Sequence, residues 1–211
     1  MIRIGIADDH PIVREGLKQI IAKNTDFSVV LEASDGQEVL EKLRKTPVDA
    51  LLLDISMPVR NGMDILKQLK AKWPKLPILI LSAHPENQYA VRVFRLGASG
   101  YITKEGAPKE LVGALKIVLS GKRYVSDSLA QHLAVQLDDD SEKAPHEKLS
   151  DRELEVLCQI AQGKPLTEIA EGLFLSVKTI STYRTRILEK LQMKTNADLI
   201  RYALQKSLID A

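Results

Sequence analysis

Three acids in this sequence stand where acids are out of place. Asp8 and Asp9 end the apolar run "IRIGIA", and Asp54 ends "ALLL". Ser82 closes "PILIL", and Lys104 follows "GYIT". Carboxylates crowded together repel and raise one another's pKa, and a hard divalent cation removes that penalty. Mg²⁺ takes oxygen ligands and keeps waters, so one or two carboxylates and a backbone carbonyl suffice. Lys104 adds a point positive charge, and Ser82 offers a hydroxyl to a phosphoryl oxygen. The chemistry that fits is phosphoryl transfer to a carboxylate oxygen, with Asp54 as nucleophile and an acyl phosphate as product. Taken singly, each acid also reads as a helix cap or turn residue. His10 and His84 flank these positions without partners at metal-ligand spacing. His84 stands two past Ser82, where it would bear on how fast a phosphate is lost.

These residues need elements to carry them to one place. Short β-branched runs occur at 2–7, 28–32, 49–53, 77–82 and 100–103. Amphipathic stretches of helical length lie at 11–24, 35–45, 61–73 and 107–122. In the first of these, Ile12, Val13, Leu17, Ile20 and Ile21 recur at three- and four-residue steps, and Pro11 suits a first helical turn. Strands alternating with helices predict an α/β, doubly wound, five-stranded parallel sheet. Ligand crevices in such sheets open beyond the carboxyl ends of the strands. Asp8, Asp9, Asp54, Ser82 and Lys104 all fall at such ends.

The chain has 211 residues, which suits two domains. Its single cysteine, Cys158, sits in the apolar helical stretch "LEVLCQIA" and reads as a buried hydrophobe. No run approaches a membrane span, and no signal peptide precedes the first strand, so a cytoplasmic protein is expected. A formal net charge of +2 is too small to imply a nucleic-acid partner by itself. Local charge has to carry that argument.

The pattern changes at about residue 123. Residues 123–148 are polar and read as a linker with an acidic spacer at 138–140; "SDSLAQHLAVQL" reads as a short helix capped by Ser126 or Asp127. Residues 149–211 carry only helical patterns. "SDRELEVLCQIAQG" opens on a capping box, Ser150 with Glu153, and closes on Gly163. "LTEIAEGL", "SVKTISTYRTRILEKLQ" and "TNADLIRYALQKSLI" follow, with a tight turn at Phe174 and Leu175. Four helices in this arrangement predict an all-α helix-turn-helix module. Residues 176–194 hold Lys178, Arg184, Arg186, Lys190 and Lys194 against Glu189 alone. Ser181, Thr182 and Thr185 share one face of that helix. Thr179 lies near its start, and Lys178, Tyr183, Arg184 and Arg186 flank the face. Such a helix suits a major groove, its basic residues on phosphates and its threonine methyls near thymine. A solvated charged face is the plainer alternative.

The motifs "DDHP", "LLLDISMP..NG", "LSA" and "GYITK" together resemble the receiver domain of two-component response regulators over residues 1–122. "LSDRELEVLCQIAQGKPLTEIAEGLFLSVKTISTYRTRILEKL" resembles a LuxR-type helix-turn-helix over residues 149–211. Both halves together resemble the NarL/FixJ class. The resemblance implies a flavodoxin-like strand order, Asp54 as phosphoacceptor and a sensor histidine kinase as donor. It implies Mg²⁺ held by Asp9, Asp54 and the Ser56 carbonyl, with Asp8 acting through water. It also implies Ser82 and Tyr101 as a switch pair, the ring moving inward after the hydroxyl meets the phosphoryl group. Phosphorylation is then expected to shift domain arrangement and dimerisation so that double-stranded operator DNA is bound. The resemblance also implies a dimer surface on the last helix, 196–207, where packing within the domain is the plainer role. Leu166-Thr167 departs from the polar-basic pair common in the family, which removes one phosphate contact.

Two other readings fit these residues. One is a Mg²⁺-dependent phosphatase with an aspartyl nucleophile. Such enzymes carry a general acid two residues on, where this chain has Ser56. The other is an adaptor whose helical module binds protein.

Overall fold

Strands β1 (Ile2–Ala7), β2 (Phe27–Ala33), β3 (Ala50–Asp54), β4 (Ile78–Ser82) and β5 (Gly100–Thr103) form one parallel sheet in the order β2-β1-β3-β4-β5. This is a computed structural model, which describes residues 1–57, 62–131, 144–206 and 208–209. Pro58, Asn61 and the acidic run 138–140 lie outside the described residues. The chain divides into two units, Met1–His132 and Leu133–Ala211.

Every residue of β3 and β4 is buried, as a central parallel strand covered on both faces requires. Ile4, Ile6, Leu52, Leu79, Leu81 and Ile102 alternate onto the face covered by α1 (Pro11–Ala22) and α5 (Ala107–Leu119). The other helices of this unit are α2 (Gly36–Lys45), α3 (Gly62–Lys72) and α4 (Glu86–Arg95). The helix α4 is not among the amphipathic stretches expected from the sequence. Its buried Tyr89, Ala90 and Val93 nonetheless follow helical spacing.

β1 and β3 are neighbours although β2 intervenes in sequence, so the order of connections reverses between them. The crevice of a doubly wound sheet opens at this point. Asp54 is the last residue of β3, and Asp8 and Asp9 follow β1 directly. The loop after β3 is tied down by Gly62, whose N–H donates to Ile55 O at 3.2 Å. A Cβ at Gly62 would stand 2.3 Å from Ile55 Cα, so only glycine allows this close approach.

The chain beyond α5 stays on the first unit. Tyr124 forms a parallel bridge to Gly100, its N–H donating to Ser99 O at 2.8 Å. Its hydroxyl donates to Glu110 Oε2 at 2.8 Å. Arg123 lies over the Phe94 ring, 5.9 Å from its centroid. Ser126 Oγ donates to the Glu86 carboxylate and accepts from Leu129 N–H, starting a helical turn at 127–131 with Leu129 buried.

The second unit begins with a 3₁₀ turn, Pro145–Lys148. Helices α6 (Asp151–Ala161), α7 (Leu166–Gly172), α8 (Val177–Leu191) and α9 (Asn196–Gln205) follow. Leu154, Leu157, Cys158, Ile169, Ile180, Ile187, Leu199 and Ala203 form its apolar interior. Phe174 takes a positive φ of 54° in the turn between α7 and α8. Ser150 and Glu153 make the expected capping box.

Buried Glu153 does a second task. Its Oε2 accepts from Ser150 N–H at 2.7 Å and from Lys190 Nζ at 2.6 Å, joining the start of α6 to the end of α8. Burial alone would raise its pKa, but Lys190 and Ser150 outweigh it and hold the carboxyl below the ordinary glutamate value. Its stabilisation is therefore complete above that ordinary value and is lost as pH falls through the depressed one. Glu153→Gln is expected to cost about 1–3 kcal/mol at pH 7. Urea unfolding checks this, with the gap to the parent protein closing in acid.

Candidate functional site

Lys104 is the centre of the crevice. Its Nζ lies 2.7 Å from Asp54 Oδ2 and 2.8 Å from Asp8 Oδ2. Both carboxylates are fully buried. The backbone places the lysine, since Lys104 N–H donates to Ser82 O at 2.7 Å as β5 ends beside β4. Asp54 Oδ1 accepts from Ser56 N–H at 2.8 Å. Asp8 Oδ1 accepts from His10 N–H at 2.8 Å, shaping the entry to α1.

The electrostatics are those of a charge cluster kept from water. Burial pushes the Asp54 carboxyl above its ordinary value, although Lys104 and the Ser56 amide pull the other way. Burial would lower the Lys104 ammonium, but Asp54 and Asp8 outweigh it and raise the value. Asp8 Oδ2 and Asp9 Oδ1 are buried.

Asp8, Asp9, His10 and Asp54 each present one ligand atom, all within 4.8 Å of one another. His10, expected as a loop residue flanking the site, lies within this group. Its Nδ1 lies 2.8 Å from Asp9 Oδ1 and 3.3 Å from Asp8 Oδ1. Adjacency in "DDH" was the available signal. An oxygen-rich set with buried carboxylate oxygens suits a hard divalent cation.

Ser82 and Tyr101 meet at residue 84. Ser82 Oγ, fully buried, accepts from His84 N–H at 3.0 Å. The Tyr101 hydroxyl donates to His84 O at 2.9 Å. The Tyr101 ring is fully buried. Burial, the dominant effect, raises its phenol well above the ordinary value. The His84 ring packs on Tyr89, with centroids 5.1 Å apart.

On the second unit, Lys178, Ser181, Thr182, Thr185 and Arg186 are exposed along α8. Ser176, Lys178, Thr179, Thr182, Tyr183 and Arg186 line a shallow concavity of ≈ 300 Å³. Arg184 departs from its expected place on this outer face. It is half-buried, and its Nε donates to Asn196 Oδ1 at 2.6 Å, tying α8 to the start of α9. Ser176 caps α8, accepting from Thr179 N–H at 3.0 Å, and no acid occupies the first turn.

Residues 4–116 match the family described as "Response regulator receiver domain", and residues 147–203 match "Bacterial regulatory proteins, luxR family". The chain belongs to the response regulators. It joins a receiver to a LuxR-type helix-turn-helix unit. It is 35% identical to response regulator UvrY of Escherichia coli K12, over 100% of this chain and 97% of that protein. It is 38% identical to the oxygen regulatory protein NreC of Staphylococcus haemolyticus, over 99% and 100%. Among solved structures, it is similar to RcsB from Salmonella enterica serovar Typhimurium bound to promoter rprA in the presence of phosphomimetic BeF3⁻. That match has a TM-score of 0.67 and 32% identity, covering 95% of this chain and 97% of that one. The strand order of this response regulator is the one the resemblance implies, and its helical second unit agrees with the helical patterns of residues 149–211. Among the described residues, no helix is long and apolar enough to cross a membrane.

Proposed function

We propose that this response regulator takes a phosphoryl group on Asp54 from a sensor histidine kinase and thereby controls DNA binding by α8. The carrying observation is Lys104 bridging Asp54 and Asp8 at the strand ends, where one carboxylate oxygen can meet phosphorus. An Asp54 oxygen forms the new P–O bond as the donor's P–N bond breaks, and the freed imidazole nitrogen takes a proton. Lys104 holds one phosphoryl oxygen. The Ser56 N–H, now on Asp54 Oδ1, is placed for the same group. Asp9, Asp54 and the Ser56 carbonyl would hold Mg²⁺, with Asp8 acting through water. When bound, the ion offsets carboxylate repulsion and attracts the phosphoryl oxygens. No proton donor stands two residues after Asp54, where Ser56 is found, which disfavours turnover of phosphate esters.

The response runs through residue 84. Ser82 Oγ and the Tyr101 hydroxyl hold its N–H and its carbonyl. When Ser82 turns to a phosphoryl oxygen, it releases that N–H, and the first turn of α4 repacks. Glu86 starts α4 and is bonded to Ser126, in the chain leading towards the second unit. Phosphorylation adds about −1.5 to −2 charge, enough to bias such a two-state element. Two copies of the second unit then pair through α9 on two half-sites.

The test combines labelling with DNA binding by the full chain. A labelled phosphodonor with Mg²⁺ is expected to mark Asp54 and tighten duplex binding. Lys178→Ala and Arg186→Ala are each expected to weaken binding to all duplexes and reduce the salt slope by about one. Salt-independent binding, or tight capture of protein without any duplex affinity, would favour the adaptor reading.

A further inference from the structure

The outer face of α8 carries more specific information than its basic charge. Thr182 Oγ1 donates to Lys178 O at 2.9 Å, and Thr185 Oγ1 donates to Ser181 O at 3.1 Å. Thr179 Oγ1 is paired with Ser176 Oγ at 2.8 Å. Each hydroxyl on this stretch of threonines is thus committed within the helix. At Thr182 and Thr185, both exposed, the proton is spent on the turn before.

That commitment narrows what these side chains can read. A hydroxyl that has donated its proton is left as an acceptor. It has nothing to give a phosphate oxygen, or O6 and N7 of guanine, which are acceptors too. With Oγ1 turned to the helix backbone, the groups left for a partner are its lone pairs, which can only accept, and the γ-methyl. The one base-edge feature in the major groove that a methyl complements is the 5-methyl of thymine. Lys178 and Arg186 flank these methyls. Among the described residues, no hydrogen bond or ion pair engages either cation, so both are available for phosphates or guanine. Thr182 and Thr185 are three residues apart, about 4.5 Å along the helix axis. This spacing suits neighbouring base pairs, stacked about 3.4 Å apart along a strand.

We propose that Thr182 and Thr185 form a methyl ridge that selects thymine at two neighbouring positions of each half-site, flanked by contacts from Lys178 and Arg186. The inference rests on α8 being the DNA-reading helix. It adds the base and the chemical group that is read.

The full chain treated with beryllofluoride is used to select duplexes from a random pool. Each thymine of a selected duplex is then replaced singly by deoxyuridine, which removes only the methyl. Two thymines per half-site are expected to show about a fourfold loss of affinity, the effect of one buried methyl. Thr182→Ser keeps the hydroxyl and is expected to abolish the deoxyuridine effect at one position. Thr185→Ser does the same at the other. Thr182→Val keeps a methyl and is expected to preserve discrimination. Salt-dependent binding with no deoxyuridine effect overturns the proposal and leaves the DNA-binding reading standing. So does discrimination that survives Thr182→Ser but not Thr182→Val. Failure to bind any duplex in a salt-dependent way overturns both.

Discussion

Asp54→Asn is expected to take up no phosphoryl group, and its DNA affinity is expected not to respond to a phosphodonor. The amide has no anionic oxygen to attack phosphorus, and a metal at the crevice loses a ligand. Mass spectrometry of the intact and proteolysed protein reads the first loss. Duplex binding with and without phosphodonor reads the second. A phosphoryl-sized increment that persists on the variant would place the acceptor elsewhere, with Asp9 the next carboxylate to examine. Thermal unfolding separates lost chemistry from lost fold. Burial raises the Asp54 carboxyl, so the folded state binds its proton more tightly than the unfolded state. Its contribution to stability is therefore full below the ordinary aspartate value and falls as pH rises through the raised one. The substituted amide never ionises, so the variant is expected to gain on the parent as pH rises towards neutrality.

Lys104→Ala is expected to have the largest effect on the fold. Removing the ammonium leaves Asp8 and Asp54 buried side by side without their cation. Breaking a buried pair from one side costs about 3–5 kcal/mol, and the lower end is expected because Lys104 keeps some contact with solvent. The sign with pH follows from Asp54. Without Lys104 its carboxyl rises further, so the variant's deficit should be small in acid and grow towards pH 7. Urea unfolding at several pH values measures this. Added Mg²⁺ should raise the variant's midpoint more than the parent's, because a divalent cation replaces the missing charge. A deficit independent of both pH and Mg²⁺ would show that Lys104 acts only through packing. Phosphoryl transfer to the variant should still occur slowly, and the DNA response should be lost with the lysine's grip on the phosphoryl group.

Much of this was legible in the residues themselves. Strand ends were visible because apolar runs stop at charged residues, and parallel strands buried on both faces leave little room for anything else. Capping at Ser150 and Ser176 is local chemistry, set within three residues of each helix start. The start of α4 was harder to read. Glu86 and its neighbours look like a loop, and their helix depends on Tyr89, Ala90 and Val93 finding the sheet. Glu153 was visible as a cap. Its bond to Lys190, thirty-seven residues on, was not, because nothing in either neighbourhood specifies the other.

By itself, the sequence determined the alternation of strand and helix, the acids at the strand ends and the basic, threonine-bearing helix, because periodicity and capping are local. Tertiary structure alone decided that Lys104 bridges Asp8 and Asp54, that Tyr101 lies buried against residue 84 and that Ser126 holds Glu86. It also decided that Arg184 turns to Asn196 and away from the outer face. Those contacts join residues far apart in the chain, and only the strand order and helix packing set the distances between them.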